Sequence, residues 1–348
     1  MTNDHAVRRV LAVTNLFPTE HAPESGTFVK SQIEGLRAVG LDVKLLHVDR
    51  DKEGRSAYRK LKARIRAALE TEPADLVHAM YGGVMAGIVV RATNLPTVVS
   101  ICGSDILGSP AARGVDRLAS RWSVRATRQA VSRADAVIAK SRNLRDALPA
   151  KLDPSRVFVI PNGLNRSVFR PLDQAECRAT LGWARDRCHI FFHITPDERK
   201  RPWLAREALE WARTQGADVE LHEVTGVPMK DVPIWLNASD AVLNTALFEG
   251  SPNSIKEALA CNTAVIAVDV GDIRERVNGV DGCSIVSDTP AALGAAIIAL
   301  CSRRRRRIDG QPAVADLTLE ATAQRVWSVY EVAYAFGAHR VSPPARSA

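Results

Sequence analysis

Residues 241–261 read AVLNTALFEGSPNSIKEALAC. The apolar run 241–249 predicts a strand, and NSIKEALAC predicts a helix. Between them stand Glu249, Gly250, Ser251, Pro252, Asn253 and Ser254. Gly250 lets backbone approach a ligand closely. Ser251 and Pro252 suit a first helical turn, whose free amides make an anion site, and Asn253 and Ser254 add polar side chains. Glu249 is expected at the carboxyl end of its strand, the edge where open α/β sheets bind ligands. Glu257 follows one to two turns into the helix, where a carboxylate can accept two hydrogen bonds from a ribose diol. Glu249 can do the same for sugar hydroxyls. The competing reading makes Glu257 a solvated helix residue and Glu249 a cap.

The alternation continues on both sides. Downstream, TAVIAVDV predicts a strand and GDIRERVNG a turn with a short helix; residues 290–301 and 318–336 predict closing helices. Upstream, RCHIFFHIT and ADVELHEV predict strands around the helix PWLAREALEWARTQ. The first half repeats the pattern: RRVLAVTNLF, LDVKLLHV, ADLVHAM, LPTVVSIC, ADAVIAK and RVFVIPNG predict strands, with helices between most of them. Such alternation means parallel, doubly wound sheets. A linker, NGLNRSVFRP, gives a first domain over 1–165 and a second over 166–320, then a helix over 321–337 crossing back to the first domain and a flexible tail over 338–348.

The chain has 348 residues, 46% hydrophobic and 25% charged, which suits two globular domains. Residues 1–170 hold 27 Lys and Arg against 16 Asp and Glu; residues 171–348 hold 20 against 23. The positive field therefore belongs to the first half and suggests an anionic partner surface. Arg113, Arg117, Arg121 and Arg125 form a four-residue stripe on a helix predicted over 111–131, extended by Arg128, with Leu118, Trp122 and Ala126 on another face. The stripe reads either as a solvated face or as one turned to phosphate or membrane. The run Arg303–Arg307 reads as a solvated loop and lacks the aromatic interleaving of a nucleic-acid patch. Six cysteines without a CxxC pair read as scattered reduced thiols of a cytoplasmic protein. No apolar segment reaches the about 20 residues of a membrane span, and the start reads as a buried strand rather than a signal peptide.

The Glu249-Gly250-Ser251-Pro252-Asn253 and Glu257-Ala258-Leu259-Ala260 pair resembles the E-x7-E element of the retaining glycosyltransferases of family 4. TAVIAVDVGDIRE, with Gly271 and Glu275, the segment VFVIPNGLNRSVFRP, the stretch NLFPTEHAPESGTFVKSQIEGL, and the stations DLVHAMYGG and VVSICGSDILG extend the likeness over roughly 8–335. The resemblance implies the GT-B fold, two Rossmann-like domains facing a central cleft. It implies transfer of a hexose-type sugar from a nucleotide-sugar, as co-substrate and without a further cofactor or metal, to a glycan or lipid-linked acceptor with retention. Glu249 would contact the donor sugar and Glu257 the ribose; the amides of Gly250 to Ser254 would hold sugar or phosphate. In the stretch Asp197 to Arg201, Lys200 first and Arg199 second would clamp the diphosphate, and Gly26 would lie against diphosphate or acceptor. A cation there offsets charge on the leaving phosphate. Where the family commonly has His before Gly-Ser-Asp, this chain has Cys102, which makes Asp105 the expected polar contact. His78 is expected either at the cleft or buried as a structural histidine. Segment 218–245 is shorter than usual in the family and leaves the base open. A peripheral place at the inner face of an anionic membrane, and no nucleic-acid partner, complete the expectations.

Two other readings compete. A GT-B epimerase or hydrolase would use the same cleft but needs a proton-abstracting base, and no residue announces itself. A noncatalytic sugar- or nucleic-acid-binding protein has no need of Glu249 and Glu257 together with Lys200. A dehydrogenase is disfavoured because no GxGxxG follows the first strand.

Overall fold

Arg9–Thr14 forms strand β1, and only its first residue is exposed. Burial on both faces is what a parallel sheet demands of a central strand. The computed structural model describes residues 6–109, 113–195, 198–303 and 307–341, with the side chains of Arg55 and of residues 338–341 outside that description. In it β1 joins β2 (Asp42–His47), β3 (Leu76–Ala79), β4 (Thr97–Ile101), β5 (Ala136–Ala139) and β6 (Val157–Val159). Their order is β2-β1-β3-β4-β5-β6, all parallel. Val10 pairs with Val43 on one side and Leu76 on the other.

Successive residues of these strands feed opposite faces. Leu11, Val13, Val77 and Ala79 pack with Leu61, Ile65 and Met85. Val10, Ala12 and Leu76 pack with Val29, Ile33 and Leu36, and with Val326, Trp327 and Tyr330. The second layer thus consists of helix Thr27–Ala38 and helix Leu319–Val341. The Trp327 indole N–H donates to Val7 O at 3.1 Å. By contact density the chain falls into two units, one made of residues up to Gly163 together with those from Leu319 onward, the other of Leu164–Thr318. The tail expected from 338 starts inside helix Leu319–Val341, and residues 342–348 lie outside the described residues.

The second unit holds β7 (Cys188–His193), β8 (Val219–Val224), β9 (Ala241–Asn244), β10 (Ala264–Ala267) and β11 (Ser284–Ile285). Their order is β11-β10-β9-β7-β8, again all parallel. Its core runs from Ile190 and Phe192 through Leu204, Leu209, Val242 and Leu259 to Val265 and Leu293. In both sheets the winding direction reverses once, between β1 and β3 and between β7 and β9. At such a switch the loops after the two strands diverge and leave a crevice at the carboxyl edge.

Three expectations are corrected here. Cys188, at the start of β7, and Cys301, in the last turn of helix Pro290–Ser302, are joined as a disulfide with Cα atoms 5.8 Å apart. The expectation of reduced thiols holds for Cys102, Cys177, Cys261 and Cys283. The pair is 113 residues apart in sequence and meets because that helix packs across the sheet, with Gly294 against Trp211. The helix predicted over 111–131 runs over Gly114–Arg133; residues 110–112 lie outside the described residues. The arginine run is not uniformly solvated. Arg304 to Arg306 lie outside the described residues, but Arg307 turns inward. Its guanidinium donates to Cys261 O at 2.6 Å, Asn237 Oδ1 at 2.9 Å, Ser239 O at 3.0 Å and Thr263 Oγ1 at 3.0 Å. Buried acceptors need donors, and one side chain serves several of them here.

Arg307→Ala should therefore destabilise the second unit by about 3 kcal/mol, since charged hydrogen bonds are lost and buried acceptors are stranded. Urea unfolding followed by tryptophan fluorescence checks it; an unchanged midpoint would contradict the bonding role.

Candidate active site

The crevice of the second unit collects its charges from the loops after β7 and β9. After β7, Glu198–Lys200 makes one 3-10 turn, and Arg201 takes a left-handed conformation (φ 50°) before Pro202 opens helix Pro202–Thr214. Arg201 is tied down there, donating to Thr245 O at 2.6 Å and to Asp288 at 2.7 Å. Thr245 Oγ1 donates to Lys200 O at 2.7 Å, and Leu247 N donates to Arg199 O at 2.7 Å. The two loops are therefore stitched together by side-chain and main-chain donors to main-chain carbonyls. Asp197 lies outside the described residues.

Glu249 does not stand at its strand end. The strand predicted over 241–249 stops at Asn244, whose side chain accepts from Ala246 N at 3.0 Å and turns the chain. Five residues later Glu249 arrives beside the other loop. Lys200 Nζ donates to Glu249 Oε1 at 2.6 Å, and Arg199 approaches Oε2 at 3.4 Å. Arg199 also lies over the Phe248 ring, 5.5 Å from its centroid. The Glu249 carboxylate is 7% exposed and the Lys200 side chain 13%, so a desolvated acid and base hold one another. The structure thus brings Glu249, Lys200 and Arg199 together, two cations around one carboxylate.

Helix Asn253–Ala260 follows at once, with Pro252 as its N-cap and no side chain capping its first turn. Asn253 and Ser254 are partly exposed there, whereas Gly250, Ser251 and Pro252 are buried. The Ser251 hydroxyl is spent within the protein: it donates to Asp272 Oδ2 at 2.7 Å and accepts from Lys256 Nζ at 3.1 Å. Gly250 O accepts from Asp272 N at 3.2 Å, and a Cβ at Gly271 (φ 63°) would fall 2.5 Å from that same oxygen. Lys256 and Asp272 were not singled out by sequence reasoning. They act through position, pinning the turn so that the helix start faces outward; their signal, a lysine one residue before Glu257, looks like any helix-surface lysine. Glu257 is partly exposed, and among the described residues its carboxylate has no hydrogen-bond donor. Loss of surrounding water pushes its pKa up to about 7, against a smaller downward pull from Lys256.

In the first unit the crevice loops leave β1 and β3. Gly26 caps helix Thr27–Ala38 at φ 64°, and a Cβ there would run into the backbone of Leu16 and Phe17. Its observed contact is with that loop. Asp105 is 2% exposed and accepts from the backbone amides of Gly103 at 2.7 Å, Gly82 at 2.9 Å and Cys102 at 3.1 Å. Its oxygens are taken by main chain, so it is a positioning residue for the loop rather than an open contact. Burial pushes the Cys102 thiol far up, and it stays protonated at neutral pH. His78 is the buried structural alternative: its ring nitrogens meet Tyr330 OH and Ser100 Oγ, each at 2.8 Å, and burial lowers its pKa to about 3. Lys140, after β5, escaped sequence reasoning altogether. Its buried ammonium donates to Gln32 Oε1 at 2.9 Å, and desolvation lowers its pKa.

Residues 5–163 match the family described as glycosyl transferase 4-like domain, and residues 181–303 match glycosyl transferases group 1. The chain is 26% identical over 326 aligned residues to TuaC of Bacillus subtilis (strain 168), assigned to teichuronic acid biosynthesis as a glycosyltransferase, spanning 76% of this chain and 82% of that protein. It superposes on sucrose-phosphate synthase of Thermosynechococcus elongatus with a TM-score of 0.75 and 17% identity, covering 94% of this chain and 100% of that one. It superposes on Anabaena Alr3699/HepE, solved with UDP and glucose, with a TM-score of 0.63 and 17% identity, covering 96% and 98%. Matched in both units and built on two such sheets, the chain is a glycosyltransferase of GT-B fold and belongs to family 4.

Proposed function

We propose that this enzyme transfers a hexose-type sugar from a nucleotide-sugar donor to a glycan or lipid-linked acceptor, with retention at the anomeric carbon and with no metal or further cofactor at the reacting centre. One observation carries the reading: a carboxylate, Glu257, without a hydrogen-bond donor among the described residues, on a helix with no side-chain cap that begins beside the Glu249–Lys200–Arg199 cluster. Ribose hydroxyls would supply the donors that the described residues do not offer Glu257. The first-turn amides and the two cations face the diphosphate, and Lys200 and Arg199 offset the charge that builds as the sugar–phosphate bond breaks. Glu249 holds those cations apart from bulk water and presents the sugar with an acceptor. The Anabaena neighbour, solved with UDP and glucose, supports a donor of this kind. The leaving phosphate would take the acceptor proton on the same face, so the protein's share of catalysis is orientation and charge stabilisation.

A second feature supports an anionic membrane surface as partner. Among the described residues no helix is long and apolar enough to cross a membrane. Helix Gly114–Arg133 nevertheless exposes Val115 at 73%, Leu118 at 65% and Trp122 at 62%. Beside them Arg117, Arg121, Arg125 and Arg128 line an open groove of about 870 Å³. Apolar anchors next to cations suit a helix lying in the headgroup region, at the inner face of the membrane if the acceptor is lipid-linked.

Four outcomes are expected. By calorimetric titration across UDP-, GDP- and ADP-sugars, Glu257→Ala should weaken the preferred donor by about 3 kcal/mol, roughly a hundredfold; unchanged affinity would sink the assignment. Donor binding favours the Glu257 anion, whose pKa starts near 7, so affinity should rise as pH increases from 6 to 8 and then level off, and Glu257→Gln should flatten that rise. Donor consumed only with acceptor present marks transfer; consumption without one marks hydrolysis or epimerisation. On vesicles with anionic lipid, each of Arg117→Ala and Arg121→Ala should weaken flotation roughly fivefold, with Trp122→Ser adding to the loss. Equal binding to neutral vesicles would remove the membrane part.

A further inference from the structure

The second unit carries a cluster of ligating side chains that the donor chemistry does not use. His189 stands on β7, and Glu220 and His222 on β8; the register sets His189 opposite Glu220 and Phe191 opposite His222. All three side chains rise from one face of the sheet. His189 Nδ1 and His222 Nε2 are 2.9 Å apart, Glu220 Oε2 is 3.9 Å from His189 Nδ1, and one ligand atom from each residue fits within 4.8 Å.

The tautomer of His189 is fixed from behind. Its Nε2 faces Ala184 O at 2.7 Å, and a carbonyl only accepts, so Nε2 carries the proton and Nδ1 turns its lone pair to the cluster. Metal-binding histidines are held in this way by their other nitrogen. Trp183 stacks on His222, with centroids 3.5 Å apart and planes 12° apart, which fixes the second ring. His189 is fully buried, while His222 is partly exposed and the Glu220 side chain is 41% exposed, so the cluster opens to solvent on the β8 side. The nearby Arg178 is neutralised by Asp240 at 2.8 Å.

We propose that His189 Nδ1, His222 Nε2 and the Glu220 carboxylate form a binding site for a divalent transition cation of the zinc class. Two imidazoles, one carboxylate and a solvent-filled fourth position suit a tetrahedral ion. Insertion opens the nitrogen pair from 2.9 Å to roughly 3.3 Å, the spacing that tetrahedral bonds of about 2.0–2.1 Å require. His222 moves its proton from Nε2 to Nδ1, and the ion takes the place of the shared hydrogen. Glu220 leaves its exposed contact with Arg187 (3.3 Å), and Arg187 keeps Asp218 at 2.8 Å. His189 and Glu220 each stand second in their strands, at the opposite edge of the sheet from Lys200 and Glu249. The ion would clamp β7 to β8 and take no part in transfer, so this site stands apart from the donor assignment.

The test uses the full untagged chain, stripped with EDTA and titrated with Co²⁺ and then Zn²⁺. One Co²⁺ per chain should bind with visible d–d absorption, Zn²⁺ should displace it, and Zn²⁺ should raise the melting temperature. Glu220→Gln and His222→Asn should each weaken binding by about tenfold or more, while Glu249→Gln should bind as the unaltered chain does. Absence of saturable one-to-one binding, or undiminished binding in either variant, would overturn the site. Should His222→Asn lose its fold by circular dichroism, the exposed Glu220→Gln decides alone.

Discussion

The contact between Lys200 and Glu249 joins the loops that follow β7 and β9 in the second unit. Each charge alone, so little exposed, would be costly to desolvate, and each gives the other a partner. The contact also fixes geometry, because its two residues sit on loops that leave neighbouring strands in opposite winding directions. The Thr245 hydroxyl and the Leu247 amide bind those loops by donating to main-chain carbonyls, and Arg201 accepts a left-handed backbone to reach them. Helix Asn253–Ala260 starts where the second loop ends, so the direction of its first-turn amides is inherited from the same contact.

A second layer of support lies behind this one. Lys256, Ser251 and Asp272 form a buried chain of hydrogen bonds under the turn, and Gly271 permits a main-chain approach that no side chain would tolerate. The first unit uses the same device with a different residue, Asp105, whose carboxylate gathers three backbone amides from two loops. In each unit a buried acid steadies a turn at the carboxyl edge of the sheet, through a hydroxyl in one and backbone amides in the other.

What was legible in the sequence was local. Strand–helix alternation gave two parallel sheets because the apolar strands and their intervening helices are each contiguous. Glu249 and Glu257 were legible because their spacing lies within one strand–turn–helix. The end of β9 was misplaced because Ala246, Leu247 and Phe248 are as apolar as a strand, while the side-chain bond from Asn244 that stops it leaves no periodic trace. The Cys188–Cys301 bridge, the inward turn of Arg307 and the burial of Lys140 were illegible for another reason. Each depends on segments brought together only by the finished sheet, and each looks locally like a surface or isolated residue.

The last long helix has a consequence for how the polypeptide is made. Val326, Trp327 and Tyr330 cover one face of the first sheet, yet they are synthesised after the whole second unit. Leu164–Thr318 is contiguous and has all its core within itself, so it can finish folding while the earlier residues still wait with an uncovered apolar layer. The amino-terminal half is therefore the last to mature, and a ribosome that stalls before residue 319 leaves behind a nascent chain that chaperones must shield.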